Sequence, residues 1–281
     1  MERGKTIQIY LPDGNPRSIK IAEISTSITK AIFIPRSKIN EVSNRPELQG
    51  VGIYFLFGEE NELDQPKVYV GEAETLITRI KQHNASKDFW NVAVVFISEK
   101  NNLNKAHVKF LENFCCNKAK EINRCELENS VNPTKSSITE SDEDFVLSFY
   151  DDLKVLLTTL GFPIFEELKR HKKDKTYFCK GKGAIAEGEY TEEGLVVFKG
   201  SKANLVETSS AGQWVNSMRT KLKEKGILVQ KDNLLEFTDD YVFNSPSAAA
   251  AVILARRANG WTEWKNKESK TLDEVERKEN V

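Results

Sequence analysis

Short apolar runs broken by turn residues dominate the first fifty positions. Ile7-Gln8-Ile9-Tyr10-Leu11 runs into the turn Pro12-Asp13-Gly14-Asn15-Pro16, and Ile19-Lys20-Ile21-Ala22 and Ala31-Ile32-Phe33-Ile34-Pro35 read as two further strands. Ser37 is placed to cap a short helix that ends before Pro46. From Gly50 the pattern becomes mixed α and β. Val51 to Phe57 and Val68-Tyr69-Val70 are strands, joined by the polar hairpin segment from Gly58 to Pro66. A helix is expected from about Thr75 to His83, a strand from Val92 to Ile97, and a longer helix from about Leu103 to Ile122.

Ser130-Val131-Asn132-Pro133-Thr134-Lys135-Ser136-Ser137 has no apolar period and reads as a linker. Ser141-Asp142-Glu143-Asp144 then resembles an N-cap with acids in the first turn, opening a helix that carries Phe145, Phe149, Leu153, Leu156 and Leu157 until Gly161 and Pro163 stop it. Beyond Lys175 come strands at Thr176–Phe178, Ala184–Tyr190 and Leu195–Lys199, a helix over Trp214–Lys225, a hairpin Ile227–Phe237, and a helix capped by Ser245-Pro246 and closed by Asn259-Gly260. The last ten residues are largely charged and read as frayed. The expected fold is α+β: a small mixed or antiparallel sheet flanked by helices, with a β-rich N-terminal extension and a second, C-terminal α+β domain. The boundaries are 1–48 for the extension, 49–135 for the first domain, 136–175 for a helical linker and 176–281 for the second domain.

Composition narrows the class. In 281 residues, 41 Lys and Arg face 42 Asp and Glu, so the whole chain exerts no long-range pull on nucleic acid, and any such site must be a local patch. No apolar run approaches the roughly 20 residues that span a bilayer, and the N-terminus lacks a signal-peptide core, so the expected location is cytoplasmic, away from membranes. Cys115, Cys116, Cys125 and Cys179 show no zinc spacing and read as reduced thiols. No feature calls for an obligate protein partner.

Two tripeptides, Gly52-Ile53-Tyr54 and Tyr69-Val70-Gly71, sit on successive strands joined by a polar loop. Arg79 follows on the next helix, Glu112 lies in the long helix after it, and Asn129 closes the segment. These five features in this order resemble the GIY-YIG nuclease family over residues 50 to 135, with Val70 a mild variant of the second motif and a slightly longer loop. The resemblance implies a metal-dependent endonuclease that hydrolyses DNA phosphodiester bonds by in-line water attack, in restriction, defence or repair. It implies Tyr54, Tyr69, Arg79, His83, Glu112 and Asn129 as site residues, with Glu112 holding Mg²⁺ (or Mn²⁺).

The residue chemistry fits that implication. Thr75, Arg79 and His83 form one polar stripe of a helix, beside Leu76, Ile77 and Ile80 on the buried face. Glu112 has Val108, Cys115, Cys116 and Ala119 as helical neighbours, so its carboxylate loses hydration and needs a cation or a donor; the plainer alternative is pairing with Lys105 or Lys109. Mg²⁺ commonly binds through one or two carboxylates plus water and phosphate. A phenol has a pKa near 10, so a tyrosine base must be acidified by a neighbour, and the sequence leaves open which tyrosine that is. His83 shares the proton transfer or contacts a phosphate, His107 reads as structural or exposed, and Asn129 bonds the site's backbone or the substrate.

In the second domain, Ser245-Pro246-Ser247-Ala248-Ala249-Ala250-Ala251 followed by Asn259-Gly260-Trp261-Thr262-Glu263-Trp264 resembles a domain of uncharacterised function that trails GIY-YIG nucleases, and also the RAMA (restriction enzyme adenine methylase associated) domain. The two tryptophans read as core rather than a base-stacking platform. Lys169, Arg170, Lys172, Lys173 and Lys175 form the strongest basic stretch and are the candidate DNA contacts, with Lys199, Lys202, Arg219, Lys221, Lys223 and Lys225 as an extension. The competing function is a catalytically inactive nucleic-acid-binding or assembly module on the same fold.

Overall fold

The computed structural model describes residues 4–60, 65–167, 176–208 and 211–278. The chain divides into two compact units, Met1–Glu167 and Leu168–Val281, and is α+β throughout. Among the described residues, no helix is long and apolar enough to cross a membrane.

The first unit is built on one sheet of seven strands in the order β1-β2-β3-β6-β4-β5-β7. These strands are β1 (Ile7–Tyr10), β2 (Lys20–Ile24), β3 (Thr29–Pro35), β4 (Gly52–Glu60), β5 (Pro66–Ala73), β6 (Trp90–Ser98) and β7 (Glu126–Leu127). All neighbours are antiparallel except β5 and β7, which run parallel. Helix α1 (Leu76–Ser86) covers one face, and α2 (Lys105–Ile122) and α3 (Glu140–Thr159) cover the other. Burial on both faces explains why β4 reads as a continuous apolar run instead of an alternating one. Ile53, Phe55 and Phe57 enter the core under α2 and α3, while Tyr54 and Leu56 enter the core under α1.

Two expected boundaries change. Of the two arrangements open to the N-terminal strands, joining the next domain or forming a small one, they take the first: β3 pairs with β6 from Thr29↔Ser98 to Pro35↔Val92, and Ile32, Ile34, Ile39, Val42 and Leu48 fill the α1-side core. Pairing removes the open edge β6 would otherwise present. Nor is α3 a bare linker. Val146, Phe149, Leu153, Leu156 and Leu157 pack into the α2-side core, and the cap is Thr139, two residues before the expected Ser141, accepting from the Asp142 N–H at 3.2 Å.

The second unit holds an eight-stranded sheet centred on β9 (Ala184–Thr191), which pairs with β8 (Thr176–Gly181), β10 (Gly194–Val197) and β11 (Lys202–Asn204). Helix α4 (Gln213–Glu224) leads into the hairpin β12 (Leu228–Lys231) and β13 (Leu234–Phe237), followed by β14 (Tyr241–Phe243). Helix α5 (Pro246–Leu254) is apolar all round and accordingly buried. It ends at Leu254 with Ala255 in the left-handed region, earlier than Asn259-Gly260. Asn259 instead caps the short α6 (Gly260–Glu263), accepting from the Trp261 N–H at 3.2 Å. A Cβ at Gly260 would collide with the Pro246 carbonyl, so glycine lets α6 close on α5. Trp264, on β15 (Trp264–Lys265), is fully buried and donates its indole N–H to the Pro246 carbonyl at 3.1 Å.

Arg219 is no surface cation. Fully buried, it donates to the carbonyls of Val252, Asn204 and Leu205 and pairs with Glu207 at 2.8 Å, which ties α4 to α5 and β11. The C-terminal residues are not simply frayed either. Leu272 is buried, Thr271 and Glu274 exchange hydrogen bonds, and Glu274–Lys278 forms a π-turn.

Candidate active site

The two tyrosines come from adjacent strands and share one sheet face. Tyr54 on β4 lies directly opposite Gly71 on β5, and Tyr69 opposite Leu56. A side chain at position 71 would overlap the Tyr54 ring and hydroxyl, so the glycine after Tyr69-Val70 makes room for the other phenol. The ring centroids of Tyr54 and Tyr69 are 6.3 Å apart. Tyr54 is fully buried and Tyr69 half-buried.

Helix α1 lays its polar stripe across them. His83 is buried, with Nε2 2.7 Å from the Tyr54 hydroxyl and its ring centroid 4.9 Å from that of Tyr69. Burial, with Arg79 and Lys87 nearby, pushes the imidazole pKa down to about 4, so His83 is neutral at pH 7. A neutral ring can accept a proton through one nitrogen or donate through the other, so both expected roles, sharing the proton transfer and contacting a phosphate, stay open to it. Arg79, exposed, hydrogen-bonds Gln82 at 3.1 Å, and its guanidinium favours the ionised form of both phenols. Burial dominates in the opposite direction and raises both tyrosine pKa values.

Glu112 reaches the same place from the other side of the sheet. The outer edge of β5 beyond β7 is covered group by group: Glu128 N–H donates to the Val68 carbonyl at 2.8 Å, the Asn129 amide bonds both the Val70 N–H and carbonyl at 3.0 and 2.8 Å, and the Glu72 N–H donates to the Glu112 carboxylate. Asn129 thus pins the backbone between the two motif residues, as one sequence reading anticipates. Burial pushes the Glu112 pKa up to about 7, and Glu72 adds to it, while Lys105 and Arg79 oppose. The plainer pairing with Lys105 is not made: Lys105 bonds Glu72 at 2.8 Å and lies 3.7 Å from Glu74. Glu112 also raises the pKa of both phenols, and Arg79 acts on all three groups, so the four side chains form one electrostatic unit.

Two neighbours, Lys87 and Glu72, escaped the sequence reading, and Lys105 entered it only as a partner for Glu112. Lys87 places its ammonium 4.6 Å from the Tyr69 ring centre, and its spacing of four from His83 is a signal that extends the stripe by one turn. Glu72 and Lys105 flank Glu112 through a strand–helix contact that leaves no local pattern. His107 is structural: it is buried, accepts the Asn104 N–H through Nδ1 at 3.4 Å in the capping box of α2, and faces Asp142 at 3.3 Å. All four cysteines are buried free thiols. Lys169, Arg170, Lys172, Lys173 and Lys175 lie outside the described residues.

Residues 177–276 match a domain of unknown function, DUF4357. The DUF4357 match falls within the second unit, over the segment that the string from Ser245 to Trp264 singles out, and assigns it no activity. No curated protein and no solved structure matches the chain.

As a place for a metal, the site offers one carboxylate. Among the described residues, no group of three or more His, Cys, Asp or Glu side chains gathers around a common point. Glu112, half-buried and with no ion pair among the described residues, fits a hard divalent ion that takes its other ligands from water and phosphate.

Proposed function

We propose that the first unit is a metal-dependent endonuclease that hydrolyses DNA phosphodiester bonds by in-line attack of water. The observation that carries this reading is the convergence of Arg79, Glu112, Tyr54 and Tyr69 on one another from four different elements. A guanidinium, two phenols and a desolvated acid suit a dianionic pentacoordinate phosphoryl group. Glu112 would hold Mg²⁺ or Mn²⁺, which when bound supplies charge neutralisation and acidifies water.

The tyrosines divide the labour by exposure. Tyr69, half-buried, is the phenol that water reaches and is assigned as the base; Tyr54, sealed in the core with His83 at 2.7 Å, orients the site and shares the proton. Ionising even an unperturbed phenol of pKa 10 at pH 7 costs about 4 kcal/mol; burial adds to that at both tyrosines, and an ionised Tyr69 adds further to the cost at Tyr54, which disfavours ionising both. Arg79 offsets part of that cost and binds a non-bridging oxygen.

Nicking of supercoiled plasmid in Mg²⁺ tests this. The wild-type chain is expected to nick and Glu112→Ala to fall at least 100-fold. Tyr69→Phe is expected to lose more than Tyr54→Phe. Equal near-wild-type rates in both would remove the tyrosine base, and DNA binding without any cleavage would leave an inactive binding module.

A further inference from the structure

The second unit contains an open cleft of about 610 Å³ between the first turns of α4 and α5. Its floor is formed by the small side chains Ala248 and Ala251 of α5. Trp214 forms one wall. Half of its surface is exposed, and among the described residues its indole has no ring or hydrogen-bond partner. Arg257, exposed and without an ion pair among the described residues, is the one charged side chain in the lining. Its Nε lies 4.0 Å from where a Cβ on Gly212 would sit, alongside the start of α4. Ser245 and Ser247 complete the rim. Their oxygens accept the N–H groups of Ala248 and Gly260 at 3.2 and 3.0 Å, which leaves each hydroxyl hydrogen to donate.

A flat aromatic wall, a single unpaired guanidinium, hydroxyl donors and no carboxylate select a planar, anionic ligand. Pockets of roughly 300–1,000 Å³ hold ligands of small-molecule size. We infer that this cleft takes one nucleotide, its base stacked on Trp214 and its phosphate at Arg257. That the nucleotide belongs to a DNA strand rests on the nuclease reading of the first unit. Stacking on an aromatic ring is tolerant of base identity, so the cleft holds an unpaired nucleotide without reading sequence.

Fluorescence anisotropy of the full chain with a labelled single-stranded oligonucleotide, read in EDTA so that no hydrolysis intervenes, tests the inference. Trp214→Ala is expected to weaken binding about tenfold and Trp214→Phe to keep most of it. Arg257→Ala is expected to weaken binding and flatten the salt dependence by about one phosphate's worth, a slope change near 0.7. Ala248→Leu, which fills the floor, is expected to block the cleft without touching either wall. A duplex of the same sequence is expected to bind less well. An equimolar mixture of deoxynucleoside monophosphates that competes as well as the strand would keep the site and make free nucleotide its ligand. No binding to strand or monophosphates, or all three variants within twofold of wild type, would overturn the inference. Plasmid nicking by the wild-type chain, set beside this titration, separates the two proposals. A chain that never nicks but loses binding in Trp214→Ala keeps the cleft and loses the nuclease, and the reverse pattern does the opposite.

Discussion

A carboxyl on α2 with Val108, Cys115, Cys116 and Ala119 as helical neighbours loses most of its hydration, and the single Glu72 N–H that it accepts replaces only part of it. The consequence is a stability cost with a defined sign. The folded-state pKa, about 7, lies above the ordinary glutamate value of 4.5, so the folded chain holds this proton where the unfolded chain releases it. Stability from Glu112 is fully present below pH 4.5 and lost as the pH rises through 7. Glu112→Gln is therefore expected to melt higher than wild type above pH 7 in EDTA, and to lose the rise in melting temperature that Mg²⁺ gives the wild type. Scanning calorimetry with and without Mg²⁺ checks both. An unchanged midpoint in EDTA, or a Mg²⁺ response that survives the substitution, would remove Glu112 as the ligand. His83 works in the other sense: its depressed pKa of about 4 means that stability is lost as the pH falls from 6.5 through 4.

At the scale of elements, the site depends on how closely β4 and β5 approach and on how the outer edge of β5 is sealed. Gly71→Ala would push a methyl into the Tyr54 ring, and overpacking of this kind costs about 1–3 kcal/mol. It is expected to lower the melting temperature and to depress cleavage more than a substitution that only destabilises, because it displaces a phenol. Tyr54→Leu in the same background, which removes the overlapped ring and hydroxyl together, is expected to recover part of the stability without restoring rate; stability that does not recover at all would place the clash elsewhere. The motif glycine and both tyrosines were legible only through the family resemblance that the paired tripeptides carry, and the polar stripe of α1 through its helical spacing. The pairing of Lys105 with Glu72 instead of Glu112 was not, since that contact joins a strand to a helix more than thirty residues away. The cap of α3 was misplaced by two residues for a related reason: Thr139 and Ser141 are both competent caps, and packing of Val146 and Phe149 selects the helix phase.

Across the whole chain, the division at Glu167 and Leu168 assigns the N-terminal strands and α3 to the first unit, although the sequence marks both as appendages. Their strands and helix carry ordinary local signals, while the partner they bury against is set by sheet order, which no local pattern encodes. The second unit was read correctly as α+β, yet Arg219 and Trp214 exchange the places that composition assigns them: the cation is buried by three carbonyls and the aromatic is exposed beside the cleft. The central claim is that side chains from β4, β5, α1 and α2 act as one phosphodiester-cleaving centre. A double-mutant cycle on Arg79→Ala and Glu112→Ala, read as the rate of Mg²⁺-dependent plasmid nicking, tests it most directly. Each single substitution is expected to cost at least 100-fold and the pair little more than the worse of the two, as residues acting in a unit do. Losses that simply multiply, or a rate left intact by either substitution, would contradict a shared centre.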